Sequence, residues 1–96
     1  MSESWKIAAF YHFVELPDRD EWAERMVDHG LEVGLRGTII FANEGINSTC
    51  AGSPEAVDAT IALLKSDPRF AAIEVKYSYA DFCPFPKFKV PRGRVG

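Results

Sequence analysis

The chain has 96 residues, 47% hydrophobic and 12% aromatic, which suits one compact domain that buries roughly 60–70% of its unfolded surface and leaves no room for a second core. No apolar run nears the roughly 20 residues that span a bilayer, and Met1-Ser-Glu-Ser-Trp-Lys6 lacks the basic-then-apolar profile of a signal peptide, so the expectation is a cytoplasmic protein without membrane contact. The net charge of −3 conceals an asymmetry: all fourteen acidic residues lie at or before Asp81 with only seven Lys and Arg, and Lys87, Lys89, Arg92 and Arg94 follow. The body is therefore a poor general polyanion binder, whereas the tail suits phosphate contact.

Trp5 to Val14 reads as a first strand, with Trp5, Ile7, Ala9, Tyr11 and Phe13 on one face and Phe10 and Val14 on the other. Leu16-Pro17-Asp18 breaks it. Asp18 and Glu21 then form an Asp-x-x-Glu variant of the capping box, opening a helix that turns Trp22, Ala23, Met26 and Val27 inward. Gly30 is the natural stop of that helix. His29, in its last turn, is favoured there by the helix dipole when protonated, a simpler account than a catalytic role.

Leu35 to Ala42 is a β-branched and aromatic run, Asn43-Glu44-Gly45 a turn in which Gly45 can take positive φ, and Ile46 to Ala51 the returning strand. Ser53-Pro54 supplies an N-cap and an N1 proline for a second helix, whose apolar stripe is Val57, Thr60, Ile61, Leu63 and Leu64. That helix ends near Ser66-Asp67-Pro68. Phe70 folds back on the core, and Ile73, Val75, Tyr77 and Tyr79 alternate with polar residues as a one-sided fourth strand. From Asp81 onward, prolines interleaved with aromatics and cations read as an extended linker. The domain is thus assigned to residues 1–80 and the linker to 81–96.

The order β-α-β-β-α-β specifies an α+β, ferredoxin-like fold: a four-stranded antiparallel sheet, order 4-1-3-2, with both helices on one face. The other face is left open. Because the first strand is apolar on both sides, a tail, a second domain or a ligand is expected to cover that face.

Particular segments carry a family resemblance. They are Phe10-Tyr11-His12-Phe13, the hairpin Glu44-Gly45-Ile46-Asn47 leading to Ala51-Gly52-Ser53, the Ser53-Pro54-Glu55-Ala56 helix entry, Asp67-Pro68 with Phe70, and Tyr79-Ala80-Asp81-Phe82. Together they resemble the N-terminal, acylphosphatase-like domain of the rhodanese-related tRNA uridine(34) hydroxylases. Ser48 stands where that family's hairpin would carry glycine, and Pro91-Arg92-Gly93-Arg94 departs from its basic linker. Members hydroxylate the wobble uridine of certain tRNAs to 5-hydroxyuridine in an oxygen-dependent reaction, with the essential cysteine in a rhodanese domain. The resemblance therefore implies an accessory domain with no catalytic residue, cofactor or metal of its own. Its implied partners are a rhodanese domain of the same protein and, weakly or indirectly, tRNA.

Four other chemistries bear on these residues. Acylphosphatases on this fold hold phosphate in a backbone nest with an arginine after the first strand; here Glu15-Leu-Pro-Asp-Arg-Asp20 has no glycine and three carboxylates, which argues against that activity. A stand-alone RNA- or protein-binding module is the alternative reading: Tyr11 or Phe13 could stack a base, although the third strand offers no aromatic. His12 has no nucleophile that the sequence places beside it. Cys50 and Cys83 lack Cys-x-x-Cys spacing and read as reduced thiols, with a disulfide between them the lesser alternative. The candidate site residues are thus Lys87, Lys89, Arg92 and Arg94 for RNA phosphates. Asn43, Glu44 and Asn47 are either simple turn formers or a polar cluster for docking a domain or RNA.

Overall fold

The computed structural model describes residues 4–91. Strand β1 (Trp5–Phe13) leads to helix α1 (Arg19–Val33), then to the hairpin of β2 (Arg36–Ala42) and β3 (Gly45–Gly52). Helix α2 (Pro54–Lys65), a 3-10 turn over Pro68–Phe70, β4 (Lys76–Ala80) and the two-residue β5 (Phe88–Lys89) complete it. The expected 4-1-3-2 arrangement is present within a five-stranded sheet of order β4-β1-β3-β2-β5. The fifth strand lies within the segment read as a linker. β5 runs parallel to β2, with Phe88 opposite Gly37 and Lys89 opposite Thr38.

The tail is held by backbone bonds that a sequence pattern does not reveal. Gly37 donates its amide to Lys87 O at 2.7 Å, and Phe41 donates to Pro91 O at 3.2 Å. Trp5 pairs with Ala80, Lys6 with Gly52 and Arg36 with Ala51, so one end of the sheet gathers the end of β4 and the start of β2. Residues 81–87 connect β4 to β5 along that end. Tyr11 and Phe13 stand toward the other end, where both are exposed.

Residues directly opposite in antiparallel strands share a face. Ala8 opposite Cys50, and Phe10 and Ile39 opposite Ser48, turn toward the helices. There Phe10, Ile39, Phe41, Ile46 and Cys50 pack with Trp22 and Met26 of α1, Val57, Ile61 and Leu64 of α2, and Phe70. Trp22 stacks on Phe41 at 6.1 Å between ring centroids and meets Phe70 edge-on at 5.4 Å. Each fully buried side chain of this size stabilises by about 1.5–3 kcal/mol, so the three-ring cluster is a large part of the core.

Two sequence expectations at α1 are corrected. The Asp18 side chain makes no capping bond; its carboxylate instead accepts both terminal nitrogens of Arg69, at 2.7 and 2.9 Å. A charge-assisted bidentate pair outcompetes a single cap bond to a backbone amide. Nor does Gly30 end the helix, which continues to Val33 and stops at Gly34 in the left-handed conformation, φ 78°. Gly30 serves another purpose: a Cβ there would lie 2.2 Å from the Phe88 ring, so the glycine makes room for β5 to dock on α1. His29 is consequently one turn inside the helix. The Thr60 hydroxyl donates to Ala56 O at 2.8 Å and so must accept from His29 Nε2 at 2.9 Å, which joins the two helices.

The second helix forms as its cap predicts, the Ser53 hydroxyl accepting the Ala56 amide at 3.1 Å with Pro54 in the first turn. The fourth strand is shorter than its alternation suggests. Ile73 is buried and Val75 packs on the core, but both precede β4. Tyr77 and Tyr79 keep the helix-side face yet remain exposed, because Lys6, over the Tyr77 ring at 4.5 Å and paired with Asp58 at 2.7 Å, occupies the space beside α2. None of the helices among the described residues is long and apolar enough to cross a membrane.

Candidate nucleic-acid interface

The hairpin turn consists of Asn43 and Glu44, with Ala42 opposite Gly45. No non-glycine residue among those described has positive φ, so the left-handed step falls on Gly45, at φ 147°. The turn carbonyls have a structural use. Glu44 O accepts Val14 N at 3.0 Å and Asn43 O accepts Leu16 N at 2.8 Å, which ties the β1–α1 loop to the hairpin.

Asn43 and Glu44 are exposed at the tip, whereas Asn47 lies within β3, on the face of the sheet away from the helices. There it stands between Tyr11 on β1 and Ile40 on β2. The three residues expected as one polar cluster are thus two at the tip and one on the open face. The same face carries Ile7, Ala9, Tyr11 and Phe13 from β1, Thr49 from β3, Arg36 and Thr38 from β2, and Lys76 from β4. Tyr11 is 66% exposed and Phe13 59%, and their rings meet edge-on at 5.8 Å. A groove of about 670 Å³ runs past Ala9, Tyr11, Asn47 and Thr49 toward Glu74 and Lys76.

Lys87 and Lys89 are exposed at the β2 edge, where they border a cleft of about 160 Å³ with Gly37, Thr38, Phe85 and Pro86. Since Phe88 turns to α1, alternation sends its two lysine neighbours the other way. Arg92 and Arg94 lie outside the described residues. Sequence reasoning did not single out Arg36, Thr49 or Lys76. Strand alternation combined with the 4-1-3-2 order would have found all three, because each falls on the open side of its strand.

Neither cysteine is set up as a nucleophile by its surroundings. Cys50 is buried in the core, and burial pushes its thiol upward, the Ser48 hydroxyl pulling weakly the other way. Ser48 Oγ is itself buried without a hydrogen-bond partner of good geometry. Cys83 donates its thiol to Phe85 O at 3.0 Å, and both cysteines are free rather than joined. His12 sits opposite Ile46 in the register, half-buried at the end of β1 that β4 does not reach.

The family described as UPF0176 acylphosphatase like domain matches residues 5–94. The chain belongs to this family. Among its relatives is the tRNA uridine(34) hydroxylase of Xylella fastidiosa strain M23, 48% identical over 82 residues, which are 85% of this chain and 32% of that protein. The chain thus spans about a third of the length of such a relative. Solved structures with the same fold include the BLUF protein BlrB in its dark state, with TM-score 0.70 and 18% identity over 96% of this chain and 74% of that one. An acylphosphatase from Coxiella burnetii matches with TM-score 0.62 and 14% identity over 92% of this chain and 93% of that one. At those identities the likeness is one of fold, and the UPF0176 site must be read from its own residues.

In this UPF0176 domain three backbone donors of the loop after β1 are engaged. Val14 and Leu16 bond to the hairpin, Arg19 N donates to Leu16 O at 3.2 Å, and Pro17 has no N–H. Arg19 lies 3.7 Å from the Asp20 carboxylate. A phosphate nest needs converging free amides and a positive field, and this loop instead presents carboxylates.

Proposed function

We propose that this chain is the non-catalytic N-terminal accessory domain of a tRNA uridine(34) hydroxylase, which helps a rhodanese domain of the same protein to hold its tRNA in the cytoplasm. The observation that carries the reading is the 48% identity to an enzyme of that name across 85% of the chain. In this reading the oxygen-dependent formation of 5-hydroxyuridine takes place on the rest of the protein, and no cofactor or metal is held by this domain. The acidic, hydrogen-bonded loop after β1 supports the view that the acylphosphatase-like fold is here a scaffold. The engaged thiol of Cys83 and the buried one of Cys50 support a domain without a nucleophile of its own.

The test is made in the full-length protein, by mass spectrometry of nucleosides from its tRNA. Cys50→Ala and Cys83→Ser should leave 5-hydroxyuridine at the wobble position near its normal level. Changing Lys87, Lys89, Arg92 and Arg94 together to Ala should lower that level and flatten the salt dependence of tRNA binding, by roughly one unit of slope for each phosphate no longer neutralised. Loss of the modification in a folded Cys50 or Cys83 variant would overturn the accessory reading. An unchanged salt slope in the quadruple variant would reduce the tail to a solvated edge.

A further inference from the structure

We propose that the open face of the sheet binds unpaired RNA nucleotides, with Tyr11 and Phe13 as the stacking platform and Asn47 as the group that meets the base edge. Two large aromatic side chains at i and i+2 of one strand, 66% and 59% exposed and in edge contact at 5.8 Å, are costly to leave in water. They are also what a base needs, since every base has a π face and stacking tolerates any sequence. Directly across from Tyr11 is Asn47, and across from Ala9 is Thr49. An amide offers both a donor and an acceptor to a base edge, and a hydroxyl offers either.

Charge selects RNA over a protein as the occupant. The chain carries fourteen acidic residues, yet none lies on the open face of β1, β2, β3 or β4, where the charged side chains are Arg36 and Lys76. Lys89, opposite Thr38, extends the cationic side to the far edge. The nearest carboxylates along the chain are at the rims: Glu15 after β1, Glu44 at the hairpin tip, Asp81 directly after β4, and Glu74 before β4, where it borders the groove opposite Tyr11. The other described acidic residues lie on the helices and loops. An acidic chain with one aromatic and cationic face has the charge complementarity that a single strand requires, phosphates toward the edges and bases toward the centre. The groove between Tyr11 and Lys76, about 670 Å³, is within the size range of nucleotide-scale pockets.

This deepens the accessory reading above and rests on it for the presence of tRNA, but its test uses no hydroxylation and can fail while that reading stands. Binding of a labelled oligouridine, and of a fully paired RNA duplex of equal length, is measured by fluorescence anisotropy on the full-length protein. The single strand should bind more tightly than the duplex. Tyr11→Ala should weaken single-strand binding roughly tenfold, Tyr11→Phe should retain most of it, and Lys76→Ala should lower the salt slope by about one. Arg25→Ala, on the outer side of α1, should change nothing. Equal affinity for strand and duplex would mean phosphate attraction alone and would overturn the proposal. So would wild-type affinity in a folded Tyr11→Ala, Phe13→Ala double variant. If that double variant kept its RNA affinity and instead loosened the domain from the rest of the protein, the face would be an internal interface and the proposal would fall.

Discussion

Gly45 shows how much one missing Cβ decides. It combines φ 147° with a backbone approach so close that a Cβ would lie 2.1 Å from His12 O, and that oxygen belongs to β1, which cannot retreat without opening its ladder to β3. Any side chain therefore meets both a conformational penalty and a steric one. A β-branched residue is the worst case. Gly45→Val should cost more than about 2 kcal/mol, read as a fall in the denaturant midpoint at constant slope. An unchanged midpoint would mean that the hairpin does not pin β1. Position 48 in the same hairpin works in the opposite sense. Ser48 replaces the glycine expected there and leaves a buried hydroxyl without a good partner, a small local cost that the surrounding core carries.

At the scale of elements, β5 depends on Gly30, and the dependence has a sign that can be tested. Alanine in an exposed helix interior is ordinarily favoured over glycine by about 1 kcal/mol, so Gly30→Ala would stabilise α1 if nothing packed there. Here the added methyl would meet the Phe88 ring at 2.2 Å, and the two-residue strand has few bonds with which to resist. The expected outcome is a helix that stays folded while the tail lets go. Amide hydrogen exchange should then speed up at Gly37 and Phe41, whose N–H groups donate to Lys87 and Pro91. Unaltered protection at both would show that β5 does not need the glycine.

The same elements show what could be read beforehand. Four strands and two helices were legible because each has a local cause: alternation in β1 and β4, Ser53-Pro54 at α2, Asn43-Glu44-Gly45 at the turn. The fifth strand was not, since its proline-rich segment has no period and takes its extension from β2. The Asp18 cap failed for a similar reason, its competitor Arg69 being distant in sequence and brought near only by the finished fold. On the candidate site, Lys87 and Lys89 were legible as cations, but not Lys89 as a sheet member or Lys87 as the acceptor of a β2 amide. Asn47 was legible as polar, but its separation from Asn43 and Glu44 needed the register.

At the scale of the whole molecule, Arg69 closes the fold. It grips Asp18 at the start of α1 with two bonds, and Asp67 before the 3-10 turn with Nε at 3.1 Å and a terminal nitrogen at 2.7 Å. The loop after β1 is thereby fastened to the connection between α2 and β4. The guanidinium beside Asp67 lowers that carboxyl to about 2, against an ordinary value of 3.8, and Asp18 is lowered by the same partner. A depressed carboxyl stabilises the fold fully above its unfolded value, and the contribution is lost as pH falls through the folded one. The window therefore opens near pH 5 and closes near pH 2. The cluster is partly exposed, so solvent screening leaves about 1–2 kcal/mol of what the shift alone would suggest. Arg69→Met should lower stability by that amount at pH 7, as measured by urea unfolding. The gap between variant and wild type should then narrow as the pH falls from about 5 to about 2, because protonation of Asp18 and Asp67 removes the same interaction from the wild type. A gap that stayed constant across this window would mean that Arg69 acts through its packing on Phe70, with the ring centroid 5.9 Å from its guanidinium, and not through charge.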